Sequence, residues 1–152
     1  MRQQGRAPFL NSEWIEKIVE IKRTSKKTKG GNQISFTVLV VVGNGKGKVG
    51  FAMAKAKNVP SAIRKAMRKA RKSAITLLLV NETISHSFTA KFKGAKVILR
   101  PARTGNGLIA GSVIRAIAEV AGIKDLTAKI MGSSNKNANV KAVFKGFQNL
   151  RR

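Results

Sequence analysis

The sequence has no cysteine, no tyrosine, one tryptophan, one histidine and only six acidic residues among 152. Without cysteine there is neither a disulfide nor a thiolate metal centre, and the composition is compatible with a reducing compartment. One His, one Asp and five Glu leave little from which to assemble acid–base, nucleophilic or metal chemistry, so neither an enzyme nor a bound cofactor is expected. His86 stands alone, and Glu13, Glu16 and Glu20 read as solvated surface groups. No run of about 18 apolar residues is present to cross a bilayer. The opening residues MRQQGRAPFLNS contain no secretory apolar segment and read as a short basic arm, residues 1–12. Aromatics make up 5% of the chain, so a platform for stacking unpaired bases is not evident. Phe36 and Phe51 lie in alternating segments and are assigned to the core.

What the sequence has in excess is positive charge. There are 31 Lys and Arg, giving a net charge of +25. A solvated face normally mixes both signs. An excess this large repels itself in an isolated compact chain and favours a polyanionic partner. Nucleic acid is the expected partner, with an anionic membrane surface as its rival.

The apolar pattern predicts two small α+β units meeting near residues 73–80. Residues 14–29 read as a strand that turns at Gly30-Gly31-Asn32 into its antiparallel partner, ISFTVLVVV. Asn44-Gly45 predicts a type I′ hairpin into a third strand, in which Val49, Phe51 and Met53 alternate with Gly50, Ala52 and Ala54. Pro60 opens a helix read as running through PSAIRKAMRKARKSAITLL. Ala62, Ile63, Ala66, Met67, Ala70 and Ala74 line one side of it. Two or three strands follow, with a turn at Lys93-Gly94-Ala95. A helix is expected to begin near Gly107, with Ile109, Val113, Ile117 and Val120 as its stripe and Gly122 closing it. LTAKIMG reads as a strand, and a last helix turns Val140, Val143, Phe144 and Phe147 inward.

Gly45-Lys46-Gly47-Lys48-Val49-Gly50 is a literal G-x-G-x-x-G. A dinucleotide turn requires a helix starting within the pattern and an acid about 20 residues later. Here a strand follows, and no acid occurs between Glu20 and Glu82. The glycines are therefore hairpin glycines, with Lys46 and Lys48 expected at an exposed tip and Lys55 on the strand beyond.

Three basic clusters are the candidate binding groups. The first is Lys22, Arg23, Ser25, Lys26, Lys27 and Lys29 leading into Gly30 and Gly31, where the backbone can approach a partner closely. The second is the helix with Arg64, Lys65, Arg68, Lys69, Arg71 and Lys72. The third is Arg100 and Arg103 with the glycine turn before Gly107, whose free N–H groups at a helix start would favour an anion. Folded RNA recognised by shape and phosphates fits this set best. An architectural DNA-binding protein is the alternative, but the basic helix lacks the Asn and Gln that read bases.

These same segments resemble the small-subunit ribosomal protein five family, bacterial type, from about Trp14 to Leu150. IKRTSKKTKGG resembles its first loop, and VVVGNGKGKVGF with VPSAIRKAMRKARK its glycine hairpin and basic helix. GAKVILRPARTGNGLIAGSVIRAIAEVAGI and AKIMGSSN resemble its second domain. The resemblance implies a double-stranded-RNA-binding-like first domain, residues 13–76, made of three antiparallel strands plus a helix. It implies a second domain, residues 77–152, with an unusual left-handed strand-helix-strand crossover. It further implies a place on the small ribosomal subunit, cytoplasmic or organellar, binding 16S-type rRNA beside small-subunit proteins four and eight. Protein three would be near, where messenger RNA enters, and the family bears on subunit assembly and decoding accuracy. By position, Arg23, Ser25, Lys26, Gly30 and Gly31 match the segment that approaches the spectinomycin site. Thr104, Gly105, Asn106 and Gly107 match the region facing protein four. Departures include Asn44 where many members have Asp, Ala52 and Ala54 for two glycines, and Asn106 and Ser112 within the pattern GTGIIAGG. The C-terminal extension frequent in the family, linked to protein eight, does not follow Arg152.

Overall fold

The computed structural model describes residues 14–150. The expected arm, Glu13 and the last two arginines lie outside them.

The fold begins with a long hairpin. Strand β1 (Ile15–Thr28) pairs antiparallel with β2 (Gly31–Gly43), and the chain reverses through Lys29 and Gly30. β3 (Lys48–Ala56) and the two-residue β4 (Ile75–Thr76) complete a sheet of order β1-β2-β3-β4. Helix α1 (Val59–Lys72) lies on one face of it, with Pro60 in its first turn, where a missing N–H costs nothing.

Alternation along β2 sends its residues to two different cores. Val38, Val40 and Val42 pack with Ala54 of β3 and Ala62, Ala66 and Ala70 of α1. Leu39 and Val41 face the other way and join Val49 in the larger core shared with the second domain. A strand covered on both faces reads as the unbroken run VLVVV rather than as alternation. Burial of each of these Val and Leu side chains contributes about 1.5–3 kcal/mol.

The second domain opens with a small hairpin of β5 (Leu79–Val80) and β6 (Thr83–Ile84). Its sheet combines β7 (Phe88–Phe92), β8 (Ala95–Pro101), β9 (Leu108–Ile109) and β10 (Leu126–Met131) in the order β7-β8-β10-β9. β9 runs parallel to β10, joined to it through α2 (Ser112–Ala121). Helix α3 (Lys136–Asn149) starts at Asn135, whose side chain accepts the Asn137 N–H. The buried Asn139 donates its amide to the Ser133 carbonyl, tying the loop to the helix. Val140, Val143, Phe144 and Phe147 are buried as their spacing required, and the Phe144 ring packs at a tilt against Phe51 of the first sheet.

Three expectations are corrected. The basic helix ends at Lys72, because the Ser73 hydroxyl turns back onto the Lys69 and Ala70 carbonyls and Ile75-Thr76 pairs with Lys48-Val49. The glycine hairpin is a four-residue loop rather than a two-residue type I′ turn. The side chain of Asn44, not a positive φ there, organises it by accepting the N–H groups of Lys46 and Lys48, both at 2.9 Å. A two-residue turn with positive φ at both centres does occur, at Asn81 and Glu82 between β5 and β6. Finally, α2 begins at Ser112 rather than near Gly107, and Ile109 is 57% exposed on β9 instead of lining the helix. Long-range pairing of Leu108 and Ile109 with Leu126 and Thr127 overrides the helical spacing.

Candidate nucleic-acid interface

The β1–β2 hairpin is the first basic element. From Lys22 to Ile34 every residue except Thr24 is exposed, so this half of the hairpin stands clear of both cores. The register distributes its groups over two faces. Arg23, Ser25 and Lys27 sit opposite Phe36, Ile34 and Asn32, on the face that carries α1 lower down. Lys22 and Lys26 sit opposite Thr37 and Gln33 on the other face. The register shift between Ile18 and Glu20 keeps Ile18 and Ile21 on the α1 side. Thr24 and Thr28 donate their hydroxyls to the Ser35 and Gly31 carbonyls, bracing the two strands. Lys29 and Gly30 form the tip, and Gly31 takes φ +121°.

Helix α1 is the second element. Arg64, Lys65, Arg68, Lys69 and Lys72 are exposed, as is Lys55 on β3. Arg71 differs: its guanidinium donates to Glu16 Oε1 at 2.6 Å, with side-chain exposures of 29% and 9%. Arg71 thus joins α1 to β1, and Glu16 is a half-buried partner rather than the solvated acid its position suggested.

Lys46 and Lys48 are exposed, but the backbone between them is not a free tip. The N–H groups of Gly45 and Gly47 donate to the Val120 and Ala121 carbonyls at 3.0 and 2.8 Å. These are carbonyls at the end of α2, which lack helical partners of their own. The loop therefore caps a helix of the second domain while its lysines point outward, and Lys48 Nζ lies 5.7 Å from the Trp14 ring centroid.

The third cluster is rearranged most. Arg100 and Arg103 are exposed, and so are Thr104, Gly105 and Asn106. The expected anion site at this turn is already filled from within. Asp125, 4% exposed, accepts the N–H groups of Gly105 and Gly107 on Oδ1 at 3.1 and 2.8 Å. The turn is thus a shaped loop held by a carboxylate, and no helix starts there to reinforce an anion. Sequence reading also missed that Arg100 shares the outer face of its sheet with Lys91, Lys96 and Lys129. The period-two alternation of FTAKFKGAKVILR and LTAKIM carries that signal.

Every described acid is engaged inside the fold. Glu16 pairs with Arg71, Glu20 with Lys22, Glu82 with Lys124 and Glu119 with Lys17, and Asp125 holds the turn. Among the described residues the remaining cations have no such partner. No group of three or more His, Cys, Asp or Glu that could hold a metal occurs among the described residues. His86 Nδ1 lies 3.1 Å from the Ser85 hydroxyl in an exposed segment.

Two family models match the chain: the N-terminal domain of ribosomal protein S5 over residues 14–77, and its C-terminal domain over residues 90–152. The chain belongs to the ribosomal protein S5 family. The small ribosomal subunit protein uS5 of Buchnera aphidicola (Schizaphis graminum strain) is 48% identical over 141 residues, covering 93% of this chain and 84% of that protein. That of Treponema denticola is 49% identical over 134 residues, 88% and 78% of the two chains. That of Thermotoga petrophila is 46% identical over 138 residues, 91% and 78%. Membership makes this a structural, non-enzymatic ribosomal protein. The two matched stretches correspond to the two sheets with their helices, and the segment between them contains the β5–β6 hairpin. Among the described residues no helix is long and apolar enough to cross a membrane.

Proposed function

We propose that this S5-family chain is a structural constituent of the small ribosomal subunit that binds 16S-type rRNA through the β1–β2 hairpin and the exposed face of α1. The observation that carries the reading is the charge inventory. The described acids are all occupied within the fold, while Arg23, Lys26, Lys27, Lys29, Arg64, Lys65, Arg68, Lys69 and Lys72 are exposed and have no carboxylate partner among the described residues. Lysines and arginines so placed neutralise phosphates and release counterions. Lys46, Lys48 and Lys55, with Arg100 and Arg103 of the second domain, are further exposed cations in this reading. Arg71 is left out of it, because its guanidinium is committed to Glu16.

The turn Thr104–Gly107 serves as a contact for small-subunit protein four. With its N–H groups turned inward to Asp125, it offers a neighbour shape rather than an anion site. Protein eight is a second neighbour, and protein three lies nearby on the path by which messenger RNA enters. In this reading the chain supports subunit assembly and decoding accuracy. The test is sedimentation of the chain in a lysate through a sucrose gradient at moderate salt. Co-migration with the small subunit after DNase digestion is the expected result. Migration with DNA, or as free protein, overturns the proposal.

A further inference from the structure

Helix α1 covers only part of its sheet. It packs over β2 and β3 and leaves the β1 edge of the same face open. Ile18 and Ile21 lie opposite Val40 and Val38, the valines that pack under α1, so all four share this face. Alternation along β2 adds Phe36 and Ile34 to it. Ile18, Ile21 and Ile34 are 45%, 47% and 41% exposed, and Phe36 is half-buried. On the helix, Ile63, Met67 and Arg71 are spaced four apart and form the flank toward β1, as the Arg71 bond to Glu16 shows. Ile63 and Met67 are themselves half-buried. The result is an apolar strip between α1 and the edge of β1, closed at one end by the Glu16–Arg71 pair. Its rim is cationic. Arg23 stands opposite Phe36 and Arg64 follows Ile63, and both are exposed.

We propose that this strip holds an acidic amphipathic helix of another protein. From Ile18 to Ser25, the partner of Ile34, the strip runs about 23 Å, the length of about 15 helical residues. Helices packed side by side lie about 8–10 Å apart, or about two strand spacings, so one helix fits beside α1 over the β1 edge. Charge complementarity selects its character. Apolar residues at helical spacing cover Ile18, Ile21 and Met67, while carboxylates beside them meet Arg23 and Arg64. A sugar-phosphate backbone answers the two arginines but offers little apolar surface to the isoleucines. The chain's own first twelve residues carry Arg2 and Arg6 and no acid, and a second copy brings a further charge of +25, so both are repelled from this rim. Lys65, Lys69 and Lys72 lie on the opposite flank of α1 and stay available to RNA. The site is independent of the rRNA-binding reading.

The experiment titrates the full chain into two fluorescent peptides of about 15 residues with one composition of Leu, Ala and Glu. One gathers its leucines on a single helical face and the other scatters them. Wild type is expected to bind the amphipathic peptide about tenfold more tightly than the scattered one at moderate salt. An Ile18→Thr, Ile21→Thr variant keeps β-branched side chains at two exposed positions and is expected to retain its urea midpoint. It should lose the preference while keeping its affinity for the scattered peptide and for an RNA duplex. Ile21→Thr alone should lose part of the preference. Equal affinity of wild type for the two peptides overturns the proposal and leaves the rRNA-binding reading standing. A preference that emerges only in a Phe9→Ser, Leu10→Ser variant overturns it in favour of the chain's own first residues. Self-association of wild type that the two threonines abolish overturns it in favour of a second copy. Loss of RNA affinity in the threonine variant, with the peptide preference intact, makes the strip part of the RNA surface and overturns it as well.

Discussion

Arg68 and Arg71 stand three positions apart on one helix, yet they do different work. Arg68 is exposed, whereas Arg71 bonds the half-buried Glu16. Arg71→Ala leaves that carboxylate without its charge-assisted hydrogen bond and is expected to destabilise the fold by about 1.5–3 kcal/mol. Arg68→Ala is expected to leave stability within about 0.5 kcal/mol and to weaken RNA binding. Urea denaturation of both variants, with an RNA titration beside it, separates the two roles. Asp125 offers a comparable contrast. Asp125→Ala strips the acceptor from Gly105 and Gly107 and should cost about 1.5–3 kcal/mol. Asp125→Asn retains an oxygen in the same place and should recover much of the loss. Amide exchange at Gly105 and Gly107 follows the effect at the turn itself.

At the scale of elements, the tightest joint is between the glycine loop and the end of α2. Gly122 takes φ +86° there, and a Cβ on it would come within 2.0 Å of the Gly45 carbonyl oxygen. Gly122→Ala therefore meets both backbone strain and a backbone clash between the two domains. It is expected to cost more than about 3 kcal/mol, read as a fall in the urea midpoint. The hairpin tip is the opposite case. Gly30 has no positive φ, and a Cβ there would meet nothing within 4 Å. Gly30→Ala should fold unchanged within about 0.5 kcal/mol and yet lower RNA affinity, because the added methyl obstructs close approach of the backbone. The elements themselves were largely legible. Period-two and helical spacing marked β1, β2, β3, α1, β10 and α3, and Pro60 marked where α1 starts. What could not be read were contacts between distant residues. The two-residue pairing of Leu108-Ile109 with Leu126-Thr127, the seat of Asp125 under the turn and the Glu16–Arg71 pair each join positions 18 or more apart in sequence. Local periodicity holds no trace of them, and each one moved a candidate residue out of its expected role.

At the scale of the whole molecule, the charge balance was plain from composition, and its distribution was not. A net charge of +25 fixes the sign of the partner. Only the fold shows that the described acids are turned to internal tasks, leaving the exposed cations of the hairpin tip and α1 without carboxylate partners among the described residues. The two domains share one core, in which Leu39, Val41 and Val49 of the first sheet meet Val113, Ile117 and Phe144 of the second domain. Basic surfaces mounted on such a body hold a fixed relation to each other, which suits holding folded RNA in place. Phosphate neutralisation is the step on which all of this depends. Its most direct test is the affinity of the full chain for small-subunit rRNA across a series of salt concentrations. With about eight phosphates contacted, log affinity should fall against log salt with a slope of roughly −6 to −7. A slope near zero would contradict it.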